Sequence, residues 1–506
     1  MMRSAVVWQG AALLAAALLS GCSTVENSHR QKLEMMRAYE SGDNAAVLEE
    51  IGSRLREPAW YNTSAVDSGD EVMWRLEAGS MNFHLGKFRE SIAEFRIAER
   101  LIGEYDDRAK VSLRDVGAEA GAAVTNLNAL PYRGFCRDRM ALSVYKSLAY
   151  LGVDDENAFR AQLRRLRNEQ KKVQEDYREF FEKEKAELAA KRKENPSAAE
   201  KADSSASAAK LAKDPRNADF TAGLAEVRRI ADRGYGNFLN PAAIFLSGLG
   251  SLRDGNPDNA RIDFRRLYEA MPRNPLTRRW YATVLRMAER PLPAELEGVK
   301  PFGFPPDRDC VYVIFANGRS AAFRQIALYF PVMTAWPMCE FYPAPFSKAR
   351  VSAGGGESAD TEILADMDGI LAQEFRERLP GMIARIVLST LVKEGAYYGG
   401  LAAVQSSNMD PTVKAIVLLS VALGGAAYRT AMNTADTRSW EILPKEFQLA
   451  QLPMPESREL AVELVGGAAG NVRKVRLPEK CRSAIVFISA PSARNVRCHV
   501  LPMSSR

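Results

Sequence analysis

The chain has 506 residues, with 69 Lys and Arg against 63 Asp and Glu, three His and 46% hydrophobic residues. At roughly 100 to 200 residues per domain this length fits about three domains with cores of their own, which excludes a disordered tail or a disulfide mini-protein. His29, His84 and His499 lie far apart with no ligand-like spacing, which argues against a multi-histidine metal site, and the net charge of +6 is too small and dispersed for a nucleic-acid surface.

Arg3 followed by the charge-free, Ala- and Leu-rich run Ser4 to Gly21 has the pattern of an export signal. The run ends in Leu19-Ser20-Gly21-Cys22, where small residues fit a signal peptidase pocket and the Cys22 thiol can accept diacylglycerol. This resembles the bacterial lipobox. It implies a mature chain of 485 residues with a net charge of +5, anchored by several acyl chains on one cysteine. With Ser23 rather than Asp after the cysteine, the resemblance implies the periplasmic side of the outer membrane. The longest later uncharged runs, Gly395 to Met409 and Ala415 to Tyr428, fall short of the about 20 apolar residues of a span. They read as a buried Gly/Ala-rich helix pair, with a hairpin docked on a membrane or partner as the alternative. With Cys22 lipidated, Cys136, Cys310, Cys339, Cys481 and Cys498 remain, an odd number. Cys310 with Cys339 and Cys481 with Cys498 are the local pairings; the other reading makes all five packed small hydrophobes.

Apolar residues recur at helical spacing from about Gln31 to Tyr105. Within this stretch Gly79, Gly86, Phe88, Ser91, Phe95 and Ala98 match the spacing of a 34-residue tetratricopeptide repeat, and Gly248, Gly255, Ala260, Phe264 and Pro272 match it again. Small residues let two antiparallel helices approach, a glycine turns the chain, and an aromatic fills the groove. A weaker hairpin runs from Leu142 through Gly152 to Ala158. From Asp154 to about Lys193 a charged helix carries the seam Phe159, Leu163, Leu166, Val173, Tyr177 and Phe180, broken only by Gln170, and suited to packing on the neighbouring repeats. Asn195 to Pro215 reads as a linker or surface loop.

After a helix over Arg278 to Met287 and a cluster of prolines, the pattern turns to strand. Val311 to Phe315 leads into the turn signal Ala316-Asn317-Gly318, with Ile326 to Val332 as its pairing partner. Amphipathic helices are expected over Thr361 to Leu379 and Met382 to Tyr398. Five strands close the chain: Phe447 to Leu452, Glu459 to Val465, Val472 to Leu477, Ser483 to Ser489 and Val496 to Leu501. The expected fold is α+β and multidomain: a signal peptide over 1–21, tetratricopeptide-like hairpins over 22–154, a charged helix and linker over 155–216, and further such helices over 217–291. An α+β region with Gly/Ala-rich helices follows over 292–443, and a small C-terminal β-sheet or sandwich over 444–506.

Catalytic signals are sparse. Gly354-Gly355-Gly356-Glu357-Ser358 lacks the Lys of a phosphate loop and reads as a flexible loop. Asp366-Met367-Asp368-Gly369 lacks the remaining ligands of a calcium loop and reads as helix. No Gly-x-Ser-x-Gly elbow occurs, and a Ser-His-Asp triad would need His84 or His499 on unrelated elements. These features point to a protein without enzymatic activity, cofactor or metal. Asp436-Thr437-Arg438-Ser439-Trp440 followed by Leu443-Pro444 is a candidate structural or interaction site, read as a buried Asp/Arg corner capped by Trp440.

The lipobox, Trp74-x-Leu76-Glu77-x-Gly79, Asn126 with Tyr132-x-Gly134, Tyr150-Leu151-Gly152 with the charged helix, Val311 to Gly318 and Arg438-Ser439-Trp440 to Leu443-Pro444 together resemble a family of bacterial outer-membrane lipoproteins with tetratricopeptide-like repeats. The resemblance implies no catalytic residues and an envelope role near cell-wall synthesis. Phe135-Cys136-Arg137-Asp138 departs from the aromatic and acidic residues that the family pattern leads one to expect. The expected function is a lipid-anchored periplasmic scaffold whose repeats bind an envelope protein or peptide and no nucleic acid. A regulator or assembly factor of an envelope complex is the alternative, and an envelope hydrolase the remote one.

Overall fold

The computed structural model describes residues 28–56, 69–111, 131–194, 210–236, 238–329, 333–354, 356–384, 434–466 and 472–503. Cys22, Asn126 and the runs Gly395 to Met409 and Ala415 to Tyr428 lie outside them. The fold is α+β. Helices α1 (Ser28–Ser41), α2 (Asn44–Arg54), α3 (Glu71–His84), α4 (Phe88–Val111), α5 (Cys136–Gly152) and α6 (Glu156–Glu194) come first; α7 (Ala218–Ala231), α8 (Pro241–Arg253), α9 (Pro257–Ala270) and α10 (Pro275–Met287) follow. Each of α8, α9 and α10 starts at an Asn-Pro pair. Asn240, Asn256 and Asn274 accept hydrogen bonds from the first free N–H groups, and the following proline supplies a helical φ where no donor is needed.

The two glycine-aromatic hairpins form as pairs of antiparallel helices. In α3–α4 the Phe95 ring lies where a side chain on Gly79 would be, 2.5 Å from an ideal Cβ, and the Ser91 hydroxyl donates to the Gly79 carbonyl at 2.7 Å. Gly86 turns the chain at φ +75°. In α8–α9 the Phe264 ring lies 2.7 Å from the Cβ position of Gly248, and Gly255 turns at φ +72°. Pro272 directly follows the residue that caps α9, Met271. Gly152, at the end of α5, packs on Phe88 of α4 and so joins α5 to the preceding hairpin. The α6 seam faces the neighbouring helices, with Phe159, Leu163 and Leu166 at most 1% exposed. Gln170 interrupts that seam for a reason: its amide donates to the Phe238 carbonyl at 3.0 Å and accepts from Asn240 N–H at 2.9 Å, which satisfies the buried entry of α8.

The strands build two sheets and a hairpin. The first sheet has the order β11-β10-β1-β7-β6, comprising β1 (Cys310–Asn317), β6 (Glu362–Asp366), β7 (Glu446–Pro453), β10 (Ser483–Ala490) and β11 (Arg497–Met503). β1 runs parallel to β10 and antiparallel to β7. The second sheet has the order β5-β4-β8-β9, comprising β4 (Lys348–Ala353), β5 (Ser358–Asp360), β8 (Glu459–Val465) and β9 (Val472–Arg476). Side chains alternate across β1, as the period of two requires. Tyr312, Ile314 and Ala316 join the core of the helical layer, whereas Val311, Val313 and Phe315 join that of the second sheet. Helices, central sheet and outer sheet therefore form three layers. A satellite core unites α7, the hairpin β2 (Ala322–Tyr329) and β3 (Met333–Glu340), and helix α11 over 367–384.

Four expectations need correction. Ile326 and its neighbours pair with β3 and not with the Val311 strand, because β1 is enclosed between β7 and β10. The stretch from Thr361 starts as strand β6 on the edge of the central sheet, and the helix begins only at 367, where the Asp366 carboxylate accepts from Gly369 N–H at 2.9 Å. The five C-terminal strands do not make a sheet of their own; they divide between both sheets and pair there with strands from 310–366. Of the two cysteine readings, the Cys310–Cys339 and Cys481–Cys498 bridges are absent and the alternative holds: the five described cysteines are free thiols, all but Cys498 buried. Among the described residues no helix is long and apolar enough to cross a membrane.

The glycine-aromatic joints can be tested directly. Gly248→Val drives a branched side chain into the Phe264 ring and should lower stability by about 1–3 kcal/mol. Gly103→Ala meets nothing within 4 Å inside α4 and should raise it by about 0.5–1 kcal/mol. Urea denaturation of the two variants measures both.

Candidate functional site

The segment 434–443 has no helix or strand, yet it runs through the interior between the helical layer and the central sheet. Its main-chain groups must therefore find side-chain partners. Glu77, on the inward face of α3, supplies two acceptors: Oε1 takes Glu441 N–H at 2.8 Å and Oε2 takes Ile442 N–H at 2.9 Å. Lys32 of α1 donates to Glu77 Oε1 at 2.6 Å and to the Ser439 carbonyl at 2.5 Å. Arg137 of α5 donates to the Trp440 carbonyl at 3.3 Å, and the Leu443 carbonyl accepts from Ser320 N–H at 2.8 Å. Trp440 is the apolar anchor. Its ring is fully buried between Phe95 and Tyr145, at 5.9 and 6.0 Å, and its indole N–H reaches the Ser80 hydroxyl at 3.0 Å. The first hairpin, with α1 and α5, thus holds a stretch of its own chain by bonds to the main chain and one aromatic pocket, the chemistry by which peptides are recognised.

The charges in this clasp are costly to bury. Lys32 and Glu77 are both 0% exposed and Glu441 is 2% exposed. Burial pushes the Glu77 carboxyl above its ordinary range, while Lys32 pulls it down. A continuous polar seam extends the clasp. Arg137 pairs with Asp138 at 3.0 Å and donates to the Ser320 hydroxyl at 2.7 Å; Asp368 accepts from Ser320 Oγ, from Ala321 N–H and from Lys445. Tyr132 donates its hydroxyl to Asp138, and burial raises the phenol well above its ordinary value.

Two of the three residues expected in the 436–440 corner form it. Arg438 grips Asp436 with two parallel bonds at 2.9 and 2.8 Å and reaches Asp70 at 3.2 Å. These carboxylates raise the guanidinium pKa even against burial. Trp440, expected as the cap of that pair, is instead seated on Ser80 and Phe95. This brings it together with the first joint, Gly79 and Phe95, while Gly248, Gly255, Phe264 and Pro272 make the separate α8–α9 joint. Lys32, Glu77, Arg137, Asp138 and Asp368 belong to the site through contacts that no local sequence motif marks. A signal is present: Glu77 follows Met73 and Trp74 by four and three residues, and Lys32 precedes Met35 and Met36 by three and four, so both charges fall on core-facing stripes.

A second polar cluster brings together His84 of α3 and His499 of β11, two of the three histidines, which do lie on unrelated elements. His84 Nδ1 lies 2.9 Å from the Ser489 hydroxyl and Nε2 lies 2.9 Å from Asn495 Oδ1, so the neutral ring accepts from serine and donates to the amide. His499 Nε2 donates to the His84 carbonyl at 3.0 Å. The order resembles a nucleophile relay, but the third member is an amide, and His84, Ser489 and Asn495 are 2%, 7% and 3% exposed. The cluster fastens the end of α3 to β10. Among the described residues no group of His, Cys, Asp and Glu converges as metal ligands do. Comparison with protein-family models, curated proteins and solved structures found no match.

Two measurements follow. Lys32→Met leaves Glu77 buried without its cation and should cost about 3–5 kcal/mol, and the double variant Lys32→Met/Glu77→Gln should cost less than the two single changes added. Burial lowers His84 from 6.5 to about 4, and His499 shifts in the same direction. The unfolded chain therefore binds these protons more tightly. The His84 contribution is complete above about pH 6.5 and is lost as pH falls toward 4, by about 3 kcal/mol. Urea midpoints at pH 7 and pH 4.5, compared between the unaltered protein and His84→Gln, isolate this contribution from the oppositely signed buried carboxylates: the unaltered protein should lose more stability, or gain less, on acidification than the variant.

Proposed function

We propose that the protein is a lipid-anchored scaffold of the bacterial envelope, held through Cys22 on the periplasmic side of the outer membrane, whose tetratricopeptide-like hairpins bind a protein or peptide partner. The observation that carries the reading is the repeated hairpin joint, Gly79 under Phe95 and Gly248 under Phe264, each with a left-handed glycine at the turn. Stacked hairpins of this kind supply extended surface without reaction chemistry. The first helices, α3 and α8, are covered on their inner faces by the chain's own sheet and by segment 434–443. Partner capture therefore falls to the outward faces of the second helices, where Arg89, Arg96 and Arg100 on α4 and Ile262 on α9 are exposed.

Crosslinking in cells, with photoreactive residues at 96 on α4 and 262 on α9 of the full-length protein, should recover the same envelope protein in repeated experiments. Recovery of none would overturn the scaffold reading. Cys22→Ser should abolish palmitate incorporation and release the protein from the membrane. Retention with unchanged labelling would overturn the anchor.

A further inference from the structure

We propose that the end of the molecule formed by the β2–β3 hairpin, α7 and α11 faces the phospholipid bilayer. The proposal rests on the anchoring of Cys22 put forward above. The described chain begins at Ser28, and its first helix is fixed at the base of that hairpin. His29 N–H donates to Thr437 Oγ1 at 3.2 Å, and His29 Nε2 lies 3.5 Å from Glu340, the last residue of β3. Cys22 stands six residues before Ser28, a reach of at most about 21 Å. Ala322 pairs with Glu340 at the base of the hairpin, and Tyr329 pairs with Met333 at its far end. Seven steps of about 3.4 Å along β2 separate the two, about 24 Å. Even fully extended the tether is slightly shorter than the hairpin, so a bilayer entered by acyl chains on Cys22 lies within a few ångströms (~3 Å) of the far end of the hairpin.

That far end has the chemistry of an interfacial contact. Met333 is 54% exposed, close to the highest exposure among the large apolar residues described. Lys210, Lys213 and Arg216 stand exposed in the segment that packs beside it; Arg216 lies 4.9 Å over the Tyr329 ring, and Asn217 is bonded to Tyr329 through both its N–H and its carbonyl. Asp214 is paired with Arg216, which leaves the two lysines for phosphate headgroups around an apolar tip. The opposite end, where β1 begins, is closed by ion pairs: Arg482 with Asp309 at 2.5 Å and Arg253 with Glu156 at 3.2 Å.

The test uses the full-length lipoprotein in vesicles of phosphatidylethanolamine and phosphatidylglycerol. A p-benzoylphenylalanine replaces Met333 or Lys213 at the proposed face, or Asp155 or Lys480 at the opposite end. Irradiation should give lipid adducts at 333 and 213 and none at 155 or 480. Adducts at 155 or 480 but not at 333, on protein that carries palmitate and sediments with the vesicles, would overturn the orientation while leaving the anchor intact. Absence of both palmitate and vesicle binding would overturn the anchor and the orientation with it.

Discussion

Glu77 is the group on which the arrangement of the layers depends. A single buried carboxylate on α3 accepts two successive main-chain N–H groups of 441–442 and an ammonium from α1. Remove it and three donors are left in the interior, each with a desolvation cost of its own. Helices α1 and α3 of the helical layer and the irregular connector that leads into the central sheet meet at this one acceptor. The Lys32, Arg137 and Ser320 bonds to the same stretch extend the arrangement without replacing it.

A buried ion pair seldom adds stability over well-packed apolar residues, because desolvation offsets the attraction. What it supplies here is register. Trp440 can enter only where the Gly79–Phe95 joint leaves room beside Tyr145, and Glu77 fixes the main chain one residue further on. From that point the chain passes through Leu443 and Lys445 into β7, which is an inner strand of the central sheet. The clasp therefore sets where β7 begins, and β7 pairs with both β1 and β6. Hairpin packing, connector and sheet register are linked in one sequence of contacts.

Local patterns in the sequence carried the elements well and their pairing poorly. The turn glycines Gly86 and Gly255, the α6 stripe and the five C-terminal strands fall where spacing and β-branched content place them. The Asn-Pro helix starts at 240, 256 and 274 are equally local, since cap and fixed φ act within four residues. Pairing is different. The parallel β1–β10 contact joins residues about 170 positions apart, and no periodicity within either strand encodes the partner. The turn signal Ala316-Asn317-Gly318 points to pairing of Ile326 with β1, which the enclosing strands β7 and β10 exclude. Of the two readings open for the cysteines, the local bridges are not brought together in three dimensions, and the packed free thiols are what the structure holds. The site was half legible. Asp436 and Arg438 announced a corner because opposite charges two residues apart can meet locally, but Glu77 and Lys32 reveal their role only once α1, α3 and the connector are assembled.

The most direct test of this account is amide hydrogen exchange on the full-length protein, followed by mass spectrometry of peptides covering 438–443. Bound by Glu77 and covered by Trp440, the amides of 441 and 442 should exchange as slowly as those of β1, and Glu77→Gln should release them together with α3. Exchange of 438–443 at the rate of an open loop in the unaltered protein would contradict it.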